Sequence, residues 1–202
     1  KGIMIMGLFA KLFRDKSMDP KFCELCNNGS KQEIMNALES WGNPNAKDNE
    51  GRTPLMCAVA GNNDTNIIDL LVEHEVPLNA ADSKGMTALH HAVISRNIDM
   101  IRALLRLGAA IDKKDKNKYT PLMLAAISPK NNTEIINILV NAGADVNAAD
   151  SNSSGSFSVL TLAIYSGNPA NVIAVIDNGA DVNQMLGDKS NALFAVAKLN
   201  DP

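Results

Sequence analysis

The sequence predicts an all-helical protein built from stacked repeats of about 33 residues. Three features support this class: a capping segment that recurs, a glycine-led segment that closes each repeat, and apolar pairs at helical spacing between them. The capping segment begins at Thr53, recurs 34 residues later at Thr87 and a further 33 later at Thr120. A weaker copy begins at Ser158, after 38 more residues.

The capping segment has the chemistry of a helix start. It reads Thr-Pro-Leu at Thr53 and again at Thr120. A threonine hydroxyl caps the exposed N–H groups of the first turn, and proline suits the first helical position, where no N–H is needed. The segment therefore predicts where the first helix of each repeat begins.

The closing segment has the chemistry of a helix end. Glycine can take the left-handed conformation that terminates a helix, and Asp or Asn then ties the following turn to its own backbone. Apolar pairs such as Met100-Ile101 and Leu104-Leu105 precede it. No single repeat can bury such a face alone, so stacking supplies the core. The closing segments are Gly108-Ala109-Ala110-Ile111-Asp112, Gly143-Ala144-Asp145-Val146-Asn147 and Gly179-Ala180-Asp181-Val182-Asn183.

In these segments the chain resembles the ankyrin-repeat family, from about residue 20 to the end. Residues 82–114 match the family pattern without a gap. The resemblance implies a solenoid of five to six helix-turn-helix repeats with short β-hairpin tips. It also implies that a protein or peptide partner binds the concave face, which the hairpin tips and the first helices form.

The expected organisation is a single ankyrin-repeat domain over residues 17–202, preceded by an apolar segment over 1–16. We interpret that segment as a capping helix; an amphipathic helix that touches a membrane is the competing interpretation. The predicted repeats lie near 17–47, 48–81, 82–114, 115–149 and 150–186, with an incomplete sixth at 187–202.

Several positions depart from the family pattern. Glu75 stands where the closing glycine is expected, which predicts an altered or strained loop, and Lys118 replaces the turn glycine of the neighbouring repeats. His90 keeps the place of the family histidine, so we expect it to bond the local backbone or a threonine hydroxyl. Polar, turn-rich stretches at 61–64, 128–133 and 151–156 predict loop extensions.

Composition excludes several classes of protein. The net charge is -3, which argues against a dedicated nucleic-acid binder, and no apolar run reaches the roughly 20 residues of a membrane-spanning helix. Three cysteines cannot form a disulfide scaffold and fit a reducing compartment, so we expect a cytoplasmic protein. We also expect the chain to be monomeric. Frequent Asn, Ile, Lys and Met suggest an AT-rich, bacterial genome. A bacterial protein of this family could be delivered into a host cell, but the sequence contains no secretion signal that supports this.

No catalytic or cofactor site is expected. Cys23 and Cys26 have CxxC spacing, but a zinc site needs two further ligands, and both cysteines fall on core positions of the first repeat. Cys57 is likewise interpreted as packing. The three histidines do not assemble with a nucleophile, and no phosphate-binding motif is present. The sequence therefore predicts a protein that is not an enzyme and has no cofactor and no metal.

Two rows of outward positions are the predicted binding residues. Large apolar side chains along one face usually mark an interaction site, and Tyr and Arg are enriched among binding hot spots. Packing between adjacent first helices, or against the hairpin itself, is the alternative for these side chains. The turn-tip row contains Arg52, Met86, Tyr119 and Phe157, and the first-helix row contains Ile94, Ile127 and Tyr165.

The segment from Lys113 to Lys118 is locally basic. It is either a solvated turn that keeps the array soluble or a patch for an acidic partner. The chain as a whole is thus predicted to be a non-catalytic protein-interaction module or scaffold. The alternative is a regulatory or targeting segment of a larger enzyme, or of a bacterial effector, whose active domain lies outside this sequence.

Overall fold

A computed structural model of the chain describes residues 19–61, 64–150, 157–184, 191, 192 and 196. The predicted capping segment 1–16, the extension at 151–156 and most of the sixth repeat lie outside these residues. Ten α-helices are delimited within the described part: α1 (Asp19–Asn28), α2 (Lys31–Ser40), α3 (Pro54–Gly61), α4 (Thr65–Glu73), α5 (Ala88–Ser95), α6 (Ile98–Arg106), α7 (Pro121–Ile127), α8 (Thr133–Asn141), α9 (Val159–Tyr165) and α10 (Pro169–Asp177).

The prediction of an all-helical fold is confirmed. Each of the five repeats within the described residues contributes two short helices. The hairpin tips are tight turns closed by backbone hydrogen bonds, and within the described ranges the one β-bridge joins Ala149 to Ser158.

The helices begin where capping residues predict. The Thr120 side chain accepts a hydrogen bond from Met123 N–H at 3.3 Å, and Pro121 occupies the first turn of α7. Ser30 caps α2 reciprocally with Glu33, whose carboxylate accepts from Ser30 N–H at 2.8 Å. Such caps satisfy backbone donors that helices of seven to ten residues cannot satisfy internally.

The chain forms two compact units, Lys1–His91 and Ala92–Pro202, divided within α5. In the first unit α1 packs on α3 and α2 on α4, around buried Phe22, Leu55 and Ile68. In the second unit α7 packs on α9 and α8 on α10, around buried Leu122 and Ile136. First helices thus stack on first helices and second helices on second helices within each unit, as stacked repeats require.

Two of the predicted departures from the repeat pattern have structural counterparts, whereas in the predicted extension at 61–64 Gly61 ends α3 and residues 62 and 63 lie outside the described residues. Glu75 has φ +61°, the left-handed conformation that glycines take at Gly108, Gly143 and Gly179, so of the two predicted outcomes the loop is strained and not altered. A side chain there costs about 1–2 kcal/mol, because its Cβ approaches the following carbonyl oxygen. Residues 128–132 form the predicted extension between α7 and α8.

The predicted core roles of His90 and the cysteines are also confirmed. His90 is fully buried, and its Nδ1 accepts from Thr87 N–H at 3.1 Å and lies 2.9 Å from the Thr87 hydroxyl. This hydrogen bond fixes the entry into α5, as the resemblance implied. All three cysteines are buried free thiols, which we call the cysteine cluster: Cys23, Cys26 and Cys57.

Candidate partner-binding surface

An aspartate at the start of each turn holds the turn tip in place. The Asp82 carboxylate accepts from Lys84 N–H at 2.8 Å and from Met86 N–H at 2.9 Å, and Asp82 N–H donates to Met86 C=O. Asp115 and Asp150 accept in the same way from the tip residues of their own turns. Because the turns satisfy their own polar groups, the tip side chains are positioned before any partner arrives.

Arg52 is the tip residue of the second repeat, and its charge is already engaged. Its Nε lies 2.7 Å from Asp48 Oδ2, and its side chain is 32% exposed. Burial acts to raise the pKa of Asp48, but the hydrogen bonds and charge of Arg52 lower it below its ordinary value. The guanidinium therefore stabilises its own turn and offers a partner only its remaining donors.

Met86 is the tip residue of the third repeat and is half-buried. The aspartate that orients its turn is itself fixed by a histidine, since His91 Nε2 lies 2.9 Å from Asp82 Oδ2. Met86 thus presents a flexible thioether from a turn anchored to the following helix. A thioether of this kind adapts well to irregular apolar surfaces.

Tyr119 is the tip residue of the fourth repeat and is also half-buried. Burial raises the pKa of its phenol, and the negative charges of Asp150 and Asp115 raise it further. The phenol therefore remains protonated at neutral pH.

Phe157 and Tyr165 contact each other, although they belong to different predicted rows. Their rings meet edge to face, with centroids 5.6 Å apart and an interplanar angle of 84°. Both residues keep part of their surface exposed. The two rings therefore pack on each other within one repeat, a contact that the sequence did not predict, and both leave aromatic surface accessible.

Ile94 and Ile127 occupy equivalent positions but differ in exposure. Ile94 is 56% exposed, which is unusual for an isoleucine, whereas Ile127 at the end of α7 is half-buried. Ile127 and Tyr165 are the last residues of α7 and α9, the two first helices that pack together in the second compact unit. The assignment of all seven residues to a binding surface stays a prediction.

Sequence reasoning missed a polar network around the loop between α7 and α8. Asn132 and Asn171, both buried, are hydrogen-bonded to each other through Asn132 N–H and Asn171 Oδ1 at 2.8 Å. Arg96 donates from Nε to Asn132 Oδ1 at 2.9 Å. An asparagine among the apolar residues of α10 was the one signal available in the sequence.

Sequence reasoning also missed a groove between α6 and α8, on the second-helix side of the second compact unit. It has a volume of about 920 Å³ and is lined on one side by Arg96 and Arg102 and on the other by Glu134 and Ile138. Arg102 and Glu134 face each other at 3.5 Å and are both exposed. No motif marks these residues, because exposed positions on a helix follow no fixed pattern.

The cysteine cluster brings together thiols from two repeats. A side-chain hydrogen bond with Cys57, followed by burial, raises the pKa of Cys23, and burial raises that of Cys26. Cys23 Sγ also donates to Arg52 C=O at 3.6 Å. Protonated, buried thiols are poor nucleophiles and poor metal ligands. Across the described ranges, no group of three or more His, Cys, Asp or Glu is arranged to hold a metal ion.

Among the described residues, no helix is long and apolar enough to cross a membrane. The cap-and-turn geometry and the paired helices define a helical repeat protein. A family model described as Ankyrin repeats (3 copies) matches residues 22–115 and 107–186. The chain belongs to the ankyrin-repeat family, whose repeats generally serve as protein–protein interaction modules.

Curated relatives agree with this assignment. Rabankyrin-5 of Homo sapiens is 29% identical over 81% of the chain and 14% of its own length. Putative palmitoyltransferase ZDHHC13 of Danio rerio is 31% identical over 74% of the chain and 23% of its own length. Ankyrin repeat and SOCS box protein 6 of Pongo abelii is 35% identical over 61% of the chain and 30% of its own length. The chain thus spans less than a third of each of these relatives.

Proposed function

We propose that the chain is a non-catalytic module that binds a protein or peptide partner through its turn tips and first helices. One observation carries the proposal: large apolar and aromatic side chains keep accessible surface on the first helices and on turns that are already hydrogen-bonded internally. Ile94 is the most exposed of them, and Tyr119, Phe157 and Tyr165 are half-buried. Preorganised aromatic anchors bind at a low cost in conformational entropy.

The proposal is tested by affinity capture from a lysate of the source organism, followed by measurement of the dissociation constant for the captured partner. The test variant changes Tyr119, Phe157 and Tyr165 to Ser. A matched control changes Ile173 and Ile176 to Ser, since both are exposed apolar residues of the second helix α10. Circular dichroism establishes that both variants fold.

The wild type and the control should retain the partner, while the test variant should bind at least tenfold more weakly. Loss of about 2 kcal/mol or more per anchor is typical of interface hot spots. Equal binding by all three proteins would refute the proposed surface, and so would loss in the control alone.

A second candidate function is a regulatory or targeting segment of a larger enzyme or effector. The observation that favours it is the small part of a relative that the chain matches: the palmitoyltransferase relative aligns with the chain over only 23% of its own length. Under this proposal the module delivers a catalytic domain to its substrate or its location. Sequencing the reading frame on both sides of the chain tests it, because adjacent stop codons would remove it.

The remaining parts of the proposal concern the isolated chain. We propose that it is a monomer that acts in a reducing cytoplasm and binds neither cofactor nor nucleic acid. Light scattering at micromolar concentration measures the mass, for which 21.6 kDa is expected of a monomer. A mass twice that value would contradict it.

A further inference from the structure

The turn of the fourth repeat carries a concentration of positive charge that the corresponding turns lack. Residues 113–119 contain four lysines against a single aspartate, which leaves three positive charges. The corresponding segments 46–52 and 80–86 are neutral, and 148–157 carries one negative charge. We call this turn the basic tip, defined by Lys113, Lys114, Lys116, Lys118 and Tyr119.

The carboxylates nearest in sequence are occupied by backbone donors. Asp115 is buried, and its Oδ1 accepts from Tyr119 N–H at 2.9 Å. The Asp112 carboxylate accepts from Asp145 N–H at 3.2 Å. Both aspartates therefore stabilise turns, and their two negative charges offset only half of the four positive charges of the neighbouring lysines.

The lysines of the basic tip fall into two roles. Lys114 Nζ donates to Ala149 C=O at 2.8 Å, which holds its charge beside the next turn. Lys116 and Lys118 are exposed, and within the described part of the chain neither ammonium group makes a hydrogen bond or an ion pair. Two exposed cations thus lie on the same turn as Tyr119, whose side chain is half-buried.

The backbone at Lys118 supports a functional reason for the charge. Lys118 has φ +71°, whereas glycine occupies the equivalent position at Gly51 (φ +75°) and Gly85 (φ +80°). Glycine adopts this conformation without a steric penalty, while a side chain does not. The turn thus has a strained backbone at Lys118 where glycine would relieve the strain but remove the ammonium group. Backbone strain of this kind is typical of functional sites.

We propose that the basic tip binds an acidic peptide segment of the protein partner. Carboxylates of the peptide would pair with Lys116 and Lys118, and a neighbouring apolar side chain would lie against the ring of Tyr119. This inference rests on the proposed function and adds the chemical class of the partner. A peptide fits better than a nucleic acid, because the patch is a single turn on a chain of net charge -3.

Fluorescence anisotropy with labelled hexaglutamate tests the inference, with labelled hexaglutamine as the neutral control. The test variant is Lys116→Gln with Lys118→Gln. The matched control variant is Lys21→Gln with Lys31→Gln, two exposed lysines on the helices of the first repeat. Both variants lose two positive charges, so a difference in their affinity for hexaglutamate shows that the position of the removed charges matters.

Hexaglutamate should bind the wild type and the control variant equally, and the tip variant about fivefold more weakly, as expected for two exposed ion pairs. Binding should weaken further between 50 and 500 mM NaCl because salt screens exposed charges. Equal weakening in both variants, or equal binding of hexaglutamine, would overturn the inference. Tighter binding of a single-stranded oligonucleotide or of anionic vesicles than of hexaglutamate would overturn the peptide assignment.

Failure of this inference is distinguishable from failure of the proposed function. Absence of hexaglutamate binding, combined with loss of the captured partner in the Tyr119, Phe157 and Tyr165 variant, would overturn the acidic class alone. Binding of hexaglutamate that depends on the basic tip, combined with a partner retained by the aromatic variant, would support the acidic class and refute the aromatic surface.

Discussion

Asn171→Ala should destabilise the second compact unit far more than an ordinary polar substitution. Asn171 is fully buried at the start of α10. Its Oδ1 accepts from Asn132 N–H at 2.8 Å, and its Nδ2 donates to Ser128 C=O at 2.8 Å and to Lys130 C=O at 3.0 Å. One amide therefore connects a second helix to the loop of the preceding repeat.

The expected loss is about 2–4 kcal/mol. Alanine leaves the buried Asn132 N–H without its acceptor, and an unsatisfied buried donor costs about 1–3 kcal/mol. The two carbonyl groups lie near solvent, where water can replace Asn171, so each adds roughly 0.5 kcal/mol. Asn178→Ala is the matched control: its amide is part-buried and bonds Asn137 Oδ1 at 2.6 Å. We expect it to cost about 1 kcal/mol or less.

Urea unfolding followed by circular dichroism measures both variants, and hydrogen exchange at the Asn132 amide reports the contact itself. The Asn171 variant should show a lower midpoint and fast exchange at Asn132. The reasoning would be refuted if Asn171→Ala cost no more than Asn178→Ala while the Asn132 amide stayed protected. That outcome would mean that water or another acceptor fully replaces the side chain.

Four further predictions concern the tips and the core. Tyr119→Ala should weaken partner binding while lowering the free energy of unfolding by less than about 1 kcal/mol. Leu122→Ala, at a fully buried position, should lower the free energy of unfolding by about 2–5 kcal/mol. Equal losses for the two variants in urea unfolding would show that Tyr119 is a packing residue. Lys118→Gly should weaken hexaglutamate binding. The free energy of unfolding should stay unchanged or rise by up to about 1 kcal/mol, because the relief of backbone strain is offset by the greater conformational entropy of glycine in the unfolded chain. A clear loss of stability would contradict this prediction. The cysteine cluster should resist thiol reagents in the folded protein and react fully in urea, and rapid reaction of the native protein would disprove its core position. Because the pKa of Asp48 is lowered in the folded protein, its carboxylate stabilises the fold above the unfolded-state pKa, and this effect is lost as the pH falls through the folded-state pKa. Arg52→Gln should raise the pKa of Asp48 in an NMR titration. An unchanged pKa would argue against the ion pair between Arg52 and Asp48.

Much of the fold could be predicted because its signals are local. Thr120 caps a residue three positions away, and Asp82 accepts from the N–H group of the residue four positions away. Glu75 could be singled out for the same reason, since a side chain at the place of the closing glycine strains the left-handed backbone there. Interactions over so short a span repeat with the sequence, so one repeat predicts the next.

The candidate site was less predictable, because its properties depend on neighbouring repeats. Ile94 and Ile127 have the same position in the pattern, yet one is exposed and the other half-buried. Arg52 was expected to face a partner, and the structure shows its Nε paired with Asp48. Exposure and pairing depend on what surrounds a side chain in space, which a periodic pattern does not specify.

By itself the sequence determined the family, the helix starts and ends, and the core positions of His90 and the cysteines. The tertiary structure alone decided which residues meet across repeats. It joined Cys57 to the thiols of the first repeat, and Asn171 to a loop that begins 43 residues earlier. Caps and turns act over a few covalently linked residues, whereas these contacts form only when stacked helices bring distant segments within hydrogen-bonding range.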